Sequence, residues 1–142
     1  RYYVMDYISG EPLHKHVRNK KLEVREAIEI FAVVCRGVHY AHQRGVIHRD
    51  LKPSNVLVTM HDDKPIPKVI DFGIAKATNQ RLTEKTVFTR YAHFIGTPAY
   101  MSPEQISGES DVDGRADQYA LACVLYEMLA ANPPFTGADI QR

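Results

Sequence analysis

The chain has 142 residues, of which 44% are apolar and 25% charged, and its formal net charge is +1. This composition is typical of one globular domain or part of one, and the small charge gives no reason to expect a nucleic-acid partner. No apolar run reaches the roughly 18 residues of a membrane-spanning helix. Cys35 and Cys123 lie in apolar helical patterns, which predicts buried, inert thiols and a reducing, cytoplasmic setting.

The first half of the chain predicts strands around one long helix. Residues 2–8 (YYVMDYI) are typical of a strand. Between residues 23 and 44 apolar side chains recur at helical spacing, and Gly45 follows as a C-terminal stop, so this segment predicts an amphipathic helix. Short apolar runs flanked by turn residues predict further short strands, at 46–47, 56–58 and 69–70.

The second half predicts a loop and then a buried helix. Pro65 and Pro67 predict a hairpin loop between the last two strands, because proline lacks the N–H that a strand interior needs. Residues 74–98 show no strong period and predict a long loop. Residues 117–131 (DQYALACVLYEMLAA) are apolar nearly all round, which predicts a helix buried on all sides.

Polar side chains concentrate in HRDLKPSNVLV (48–58), and an acid follows in IDFG (70–73). Asn55 and Asp71 offer the amide and carboxylate oxygens that Mg²⁺ takes beside substrate phosphates. Asp50 would then accept a proton from a hydroxyl. Lys52 would share its face in an extended loop and neutralise a phosphoryl group. These residue types indicate phosphoryl transfer to a hydroxyl, with a solvated loop held by a satisfied Asp-Asn turn as the alternative.

Three spaced motifs point to one family. They are His48-Arg49-Asp50 with Asn55, then Asp71-Phe72-Gly73, and then Ser102-Pro103-Glu104 within GTPAYMSPEQ (96–105). Over almost every residue the chain resembles the eukaryotic-like protein kinases, and most of all their bacterial serine/threonine members. Ser102 is a small departure from the alanine that is usual there.

The resemblance implies ATP and Mg²⁺ (or Mn²⁺) as cofactors and a protein substrate. It implies that Asp50 is the catalytic base, that Lys52 steadies the γ-phosphate, and that Asn55 and Asp71 hold the metal. It also implies a hinge at residues 5–8. The implied nucleotide contacts are the adenine edge at the backbone of Asp6 and Ile8, the adenine face at Leu57, and the ribose at Glu11.

The resemblance further implies structural and regulatory residues. His48 and Phe72 would belong to a stack anchored by Asp117, and Glu104 would pair with an arginine beyond residue 142. Arg49 would bind a phosphate that the intact kinase places on its own activation segment by autophosphorylation, with a homodimer as one arrangement for that reaction. The resemblance implies that Thr89 is phosphorylated first and Thr86 second, and that Thr97 stays unmodified beside Lys52.

The resemblance implies that the fold class is α+β. The chain would be a mostly helical large (C-terminal) lobe that starts at the hinge and ends after the central buried helix. Residues 1–142 would form one partial kinase domain, inactive alone, with the small lobe, the C-terminal helices and any membrane anchor outside it. Two alternatives stay open. One is a pseudokinase scaffold, and the other is a small-molecule phosphotransferase of the aminoglycoside kinase type.

Overall fold

The computed structural model describes residues 7–72 and 98–135. Short 3-10 turns lie at Pro53–Asn55 and Pro98–Tyr100. Within the described ranges, no helix is long and apolar enough to cross a membrane. The elements in chain order are β1 (Glu11–Pro12), α1 (Leu13–Lys20), α2 (Val24–His42), β2 (Val56–His61), β3 (Lys64–Val69), α3 (Pro103–Ile106) and α4 (Gly114–Ala130).

The long amphipathic helix is confirmed as α2. A capping box starts it: the Glu23 side chain accepts the backbone N–H of Glu26, and the Glu26 side chain accepts that of Glu23. Gly45 has a φ of 73° and turns the chain just beyond the helix. The buried face of α2, which packs against β3 and α4, consists of Ala27, Ile30, Phe31, Val34 and Val38.

The three strands form one antiparallel sheet in the order β1-β2-β3. The predicted hairpin loop around Pro65 and Pro67 is wrong, because both prolines lie within β3, opposite Met60 and Val58. β3 is an edge strand of this sheet, and an edge tolerates proline nitrogens that face away from the ladder. The turn is instead formed by Asp62 and Asp63, whose φ angles of 48° and 58° suit a two-residue hairpin loop.

The predicted fold class is therefore wrong in its main claim. The described chain is mixed α+β, with a three-stranded antiparallel sheet near its N-terminal end, and is not a helical lobe alone. The sheet contributes to the core, since Val56 and Val58 of β2 are buried beside Leu13 of α1 and Val124 of α4. Burial of such side chains is the main stabilising term, at about 25 cal/mol per Å² of apolar surface.

Three local predictions also need correction. The run at 46–47 is not a strand, and α1 occupies a segment for which no helix was predicted. The last helix is confirmed but begins earlier, at Gly114, with Asp113 as its N-cap. It is not buried on all sides in the described chain, because Tyr126 is 52% exposed. Most of the predicted strand at 2–8 lies outside the described residues.

Candidate active site

The side chains of Asp50 and Lys52 form an ion pair. The Lys52 Nζ donates to the Asp50 Oδ2 at 3.2 Å, and both side chains are about a quarter exposed. Lys52 has an extended backbone, with φ −159° and ψ 165°, which points alternate side chains to the same face. The Asp50 carboxylate and the Lys52 ammonium group are therefore both accessible to solvent, on the loop that precedes β2 in the chain.

Asn55 closes the loop behind this pair. Its Nδ2 donates to the Asp50 backbone oxygen at 2.8 Å, and its own side chain is buried. Among the described residues, the Oδ1 receives a single long contact, from the Ser54 hydroxyl at 3.4 Å. Because the amide nitrogen is committed to the loop, the amide oxygen remains the atom available to a cation.

Asp71 is brought next to Asn55 by backbone bonding between the two segments. The Ile70 N–H donates to the Asn55 carbonyl oxygen at 2.9 Å, and the His48 Nε2 lies 2.8 Å from the Ile70 oxygen. Asp71 follows with a φ of 57°, a left-handed conformation that aspartate tolerates better than most residues. The exposed Asp71 carboxylate therefore comes directly after Ile70, the residue whose backbone is hydrogen-bonded to Asn55.

These oxygen donors fit a divalent cation. An amide oxygen and one carboxylate match the donor set of Mg²⁺, which completes its shell with water and substrate phosphates. The site differs from a protein-only metal cage: in the described chain, no group of three or more histidine, cysteine, aspartate or glutamate residues is placed to hold an ion. A metal at Asn55 and Asp71 would thus depend on its substrate for further ligands.

A buried carboxylate fixes the start of the loop. Asp117, which is 1% exposed, lies in the first turn of α4, three residues past the true start of the helix. Its oxygens accept the backbone N–H groups of His48 and Arg49, each at 2.8 Å. The ring of His48 lies 4.7 Å from that of Phe72, which places a second contact between this loop and the Asp71 segment.

Sequence reasoning missed two residues at this anchor. His42, near the end of α2, places its Nε2 2.7 Å from the Asp117 Oδ2. Gln105 donates from its Nε2 to the Arg49 backbone oxygen at 2.8 Å. In the sequence, Gln105 is marked by its position directly after Ser102-Pro103-Glu104. Its contact with a residue 56 positions earlier could not be predicted from the spacing of residues in the sequence.

The predicted nucleotide contacts have mixed placements. Leu57 is half-buried in β2, opposite Pro12 of β1, and Ile8 is half-buried just before β1. The Glu11 carboxylate is occupied within the fold, since it contacts the His16 Nδ1 at 2.8 Å and accepts from the Asn19 Nδ2 at 2.9 Å. The hydrogen bond from His16, followed by that from Asn19, lowers the pKa of Glu11, although burial opposes them.

Several predicted site residues do not enter this geometry. Glu104 lies in α3, half-buried, and Arg49 is half-buried with a φ of 64°. The Arg49 Nη2 makes a long contact of 3.4 Å with the Val112 oxygen. The predicted residues outside the described ranges are Asp6, Thr86, Thr89 and Thr97.

A family model described as the protein kinase domain matches residues 1–142, the whole chain. The chain belongs to the protein kinase family. Among bacterial relatives of this kinase chain, serine/threonine-protein kinase PknB of Mycobacterium leprae is 44% identical over 137 residues, which cover 96% of the chain and 21% of that protein. PknB of Mycolicibacterium smegmatis is 45% identical over the same length and shares.

Solved kinase structures show the same likeness. The kinase domain of Mycobacterium tuberculosis PknI matches with a TM-score of 0.66 and 36% identity, over 92% of this kinase chain and 45% of that one. The family identification and the bacterial serine/threonine resemblance are thus confirmed. The chain spans about a fifth of the length of the curated relatives it matches.

Proposed function

We propose that the protein transfers the γ-phosphate of ATP to serine or threonine hydroxyls of a protein substrate. The observation that carries this is the Asp50–Lys52 pair, at 3.2 Å, on a loop bound through Asn55 to the segment that ends in Asp71. In this proposal the proton acceptor and the phosphate-neutralising ammonium group are both partly exposed to solvent, and the two cation ligands adjoin them through the backbone bonds of the loop. Phosphoryl transfer needs mainly this kind of positioning and charge stabilisation.

In this proposal each side chain has one task. Asp50 accepts the proton of the substrate hydroxyl, and the Lys52 ammonium group next to it balances charge on the transferring phosphoryl group. Asn55 and Asp71 hold the metal. Mg²⁺ bound there supplies charge neutralisation for the ATP phosphates. Because Asn55 also bonds the Asp50 backbone, the same residue orients the base relative to the metal.

Further proposed roles follow the resemblance. Asp6, Ile8 and Leu57 contact adenine, and Glu104 is a structural residue through its partner arginine. Glu11 contacts ribose only if it gives up part of its bonding to α1, since both of its carboxylate oxygens already have partners.

Regulation is proposed through Arg49. A phosphothreonine adds about −1.5 to −2 charge and three acceptor oxygens, which a guanidinium group can bind two at a time. Thr89 is the proposed first site and Thr86 the second, with Thr97 left unmodified. Phosphate on either site, placed against Arg49, would act one residue from Asp50.

Radiolabel transfer tests the function. The protein from its complete reading frame is incubated with γ-³²P-ATP and a mixed protein substrate, with Mg²⁺ or with excess chelator. We expect Mg²⁺-dependent label on serine and threonine after acid hydrolysis, and none with the Asp71→Asn variant. Nucleotide binding without transfer would instead favour the pseudokinase scaffold, and label on an aminoglycoside but on no protein would favour the small-molecule phosphotransferase.

A further inference from the structure

Gln105 uses both ends of its side-chain amide. Its Oε1 accepts the Ser102 backbone N–H at 3.1 Å and the Ser102 hydroxyl at 3.3 Å, which completes a capping box at the start of α3. Its Nε2 donates to the Arg49 carbonyl oxygen at 2.8 Å. The two sets of partners fix the orientation of the amide, because one end meets only donors and the other an acceptor.

The carbonyl group that Gln105 binds belongs to a constrained part of the backbone. Arg49 has a φ of 64°, a left-handed conformation that is unfavourable for a non-glycine residue and persists only where its surroundings enforce it. The Arg49 N–H is held by Asp117 at 2.8 Å. Gln105, on α3, therefore binds the carbonyl group of Arg49, whereas Asp117, on α4, binds its N–H group.

The peptide group after Arg49 connects this contact to Asp50. Its oxygen is the Gln105 acceptor, and its N–H is that of Asp50, which donates to the His48 Nδ1 at a longer 3.3 Å. Because a peptide group is planar and rigid, fixing its oxygen fixes the direction in which the chain enters the next residue. The hydrogen bond from Gln105 is the shorter of the two, so it is the stronger constraint on this plane.

We propose that Gln105 is a positioning residue for the Asp50 carboxylate, and that it couples the placement of α3 to the catalytic loop. This inference rests on the proposed function of Asp50 as the base. Ser102-Pro103-Glu104 lies immediately before Gln105, so any movement of that segment acts directly on the Arg49 peptide group. A displacement of about 1 Å at a reacting group can cost roughly 100-fold in rate.

A second capping box in the chain provides a matched control. At α2, the Glu26 side chain accepts the Glu23 backbone N–H at 2.9 Å, the same bond that Gln105 makes with Ser102. Glu26→Leu and Gln105→Leu therefore both remove a reciprocal cap, but only the second removes a bond to the catalytic loop. Gln105→Glu retains the acceptor for Ser102 and loses the donor for Arg49.

The test measures kcat and the KM for ATP in the protein from its complete reading frame. We expect Gln105→Leu and Gln105→Glu to lower kcat by about 10- to 100-fold with the KM for ATP within about twofold, since the proposed nucleotide contacts lie elsewhere. Glu26→Leu should leave kcat unchanged. Wild-type kcat in Gln105→Glu, or an equal loss in Glu26→Leu, would overturn the positioning role.

Hydrogen exchange provides a readout that needs no activity. We expect the Arg49 and Asp50 amides to exchange faster in both Gln105 variants, and at the wild-type rate in Glu26→Leu. Unchanged exchange in Gln105→Glu would overturn the inference even if the wild-type protein transfers no phosphate. An inactive wild type with faster exchange in Gln105→Glu would refute the proposed function while supporting the contact's role in holding the loop.

Discussion

The Asp117 carboxylate accepts a hydrogen bond at 2.8 Å from the backbone N–H of Arg49, which lies 68 positions earlier in the chain. It also accepts the His48 N–H and contacts the His42 ring, so that three polar groups share one carboxylate that is 1% exposed. This one side chain connects α2, the loop that begins at His48, and α4.

Replacing Asp117 should cost much more stability than replacing another acid of the same helix. Asp117→Ala leaves buried N–H groups without acceptors, at about 1–3 kcal/mol each. Asp113→Ala, which removes the more exposed N-cap of α4, should cost less, because water can reach the N–H group that it leaves. Urea unfolding of the two variants gives the comparison. Equal losses would show that Asp117 anchors nothing beyond its own helix.

Gly37→Ala should stabilise the protein. Gly37 lies inside α2, and a Cβ atom there would meet nothing within 4 Å. Alanine is favoured over glycine in a helix interior by about 0.5–1 kcal/mol, so the melting temperature should rise. Gly10→Ala is the contrasting variant, because its Cβ would lie 2.8 Å from the Val58 backbone oxygen and push β1 away from β2. A lower melting temperature for Gly37→Ala would contradict this interpretation.

The end of α4 offers a paired substitution one residue apart. Ala131, the C-cap, has a φ of 64°, whereas Ala130 is the last helical residue. Ala131→Gly relieves the left-handed backbone and should stabilise the protein by about 0.5–1 kcal/mol. Ala130→Gly should destabilise it by a similar amount. Chemical denaturation measures the change in the free energy of unfolding for each variant. If the two changes have the same sign, this explanation of the helix end is wrong.

Acid should weaken the connection between β1 and α1. Hydrogen bonds from His16 and Asn19 lower the pKa of Glu11 below its ordinary value. A carboxylate whose pKa is lower in the folded than in the unfolded state stabilises the fold at pH values above the unfolded-state pKa, which is near 4.3. That contribution is lost as the pH falls through the folded-state pKa. The stability difference between wild type and Glu11→Gln should therefore shrink below about pH 4.3. A difference that stays constant from pH 7 to pH 3 would mean that the carboxylate charge is irrelevant.

Much of the candidate site could be predicted from the sequence, because the motifs combine residue type with fixed spacing. Asp50 and Lys52 were expected on one face, and the structure places their side chains in contact. The strands were harder. Pro65 and Pro67 argue against a strand locally, and only pairing with β2 shows that β3 is an edge where proline fits.

Tertiary contacts account for the other misses. The run at 46–47 has strand-like composition, yet it does not pair in the described chain. His42 and Gln105 act through partners 75 and 56 positions away, which local periodicity cannot reveal. The helical fold class came from the family resemblance and gave too little weight to the strands predicted at 56–58 and 69–70, which are longer in the structure and pair with β1 into one sheet.

The most direct test of the account is the effect of Asp50→Asn on turnover and on nucleotide binding, measured together in the protein from its complete reading frame. Asn retains the size of the side chain but cannot accept the hydroxyl proton as the carboxylate does. We expect kcat to fall by about 10²- to 10⁴-fold, the usual contribution of a general base, while the Kd for Mg-ATP changes little. Wild-type turnover in this variant would contradict the assignment of Asp50 as the base.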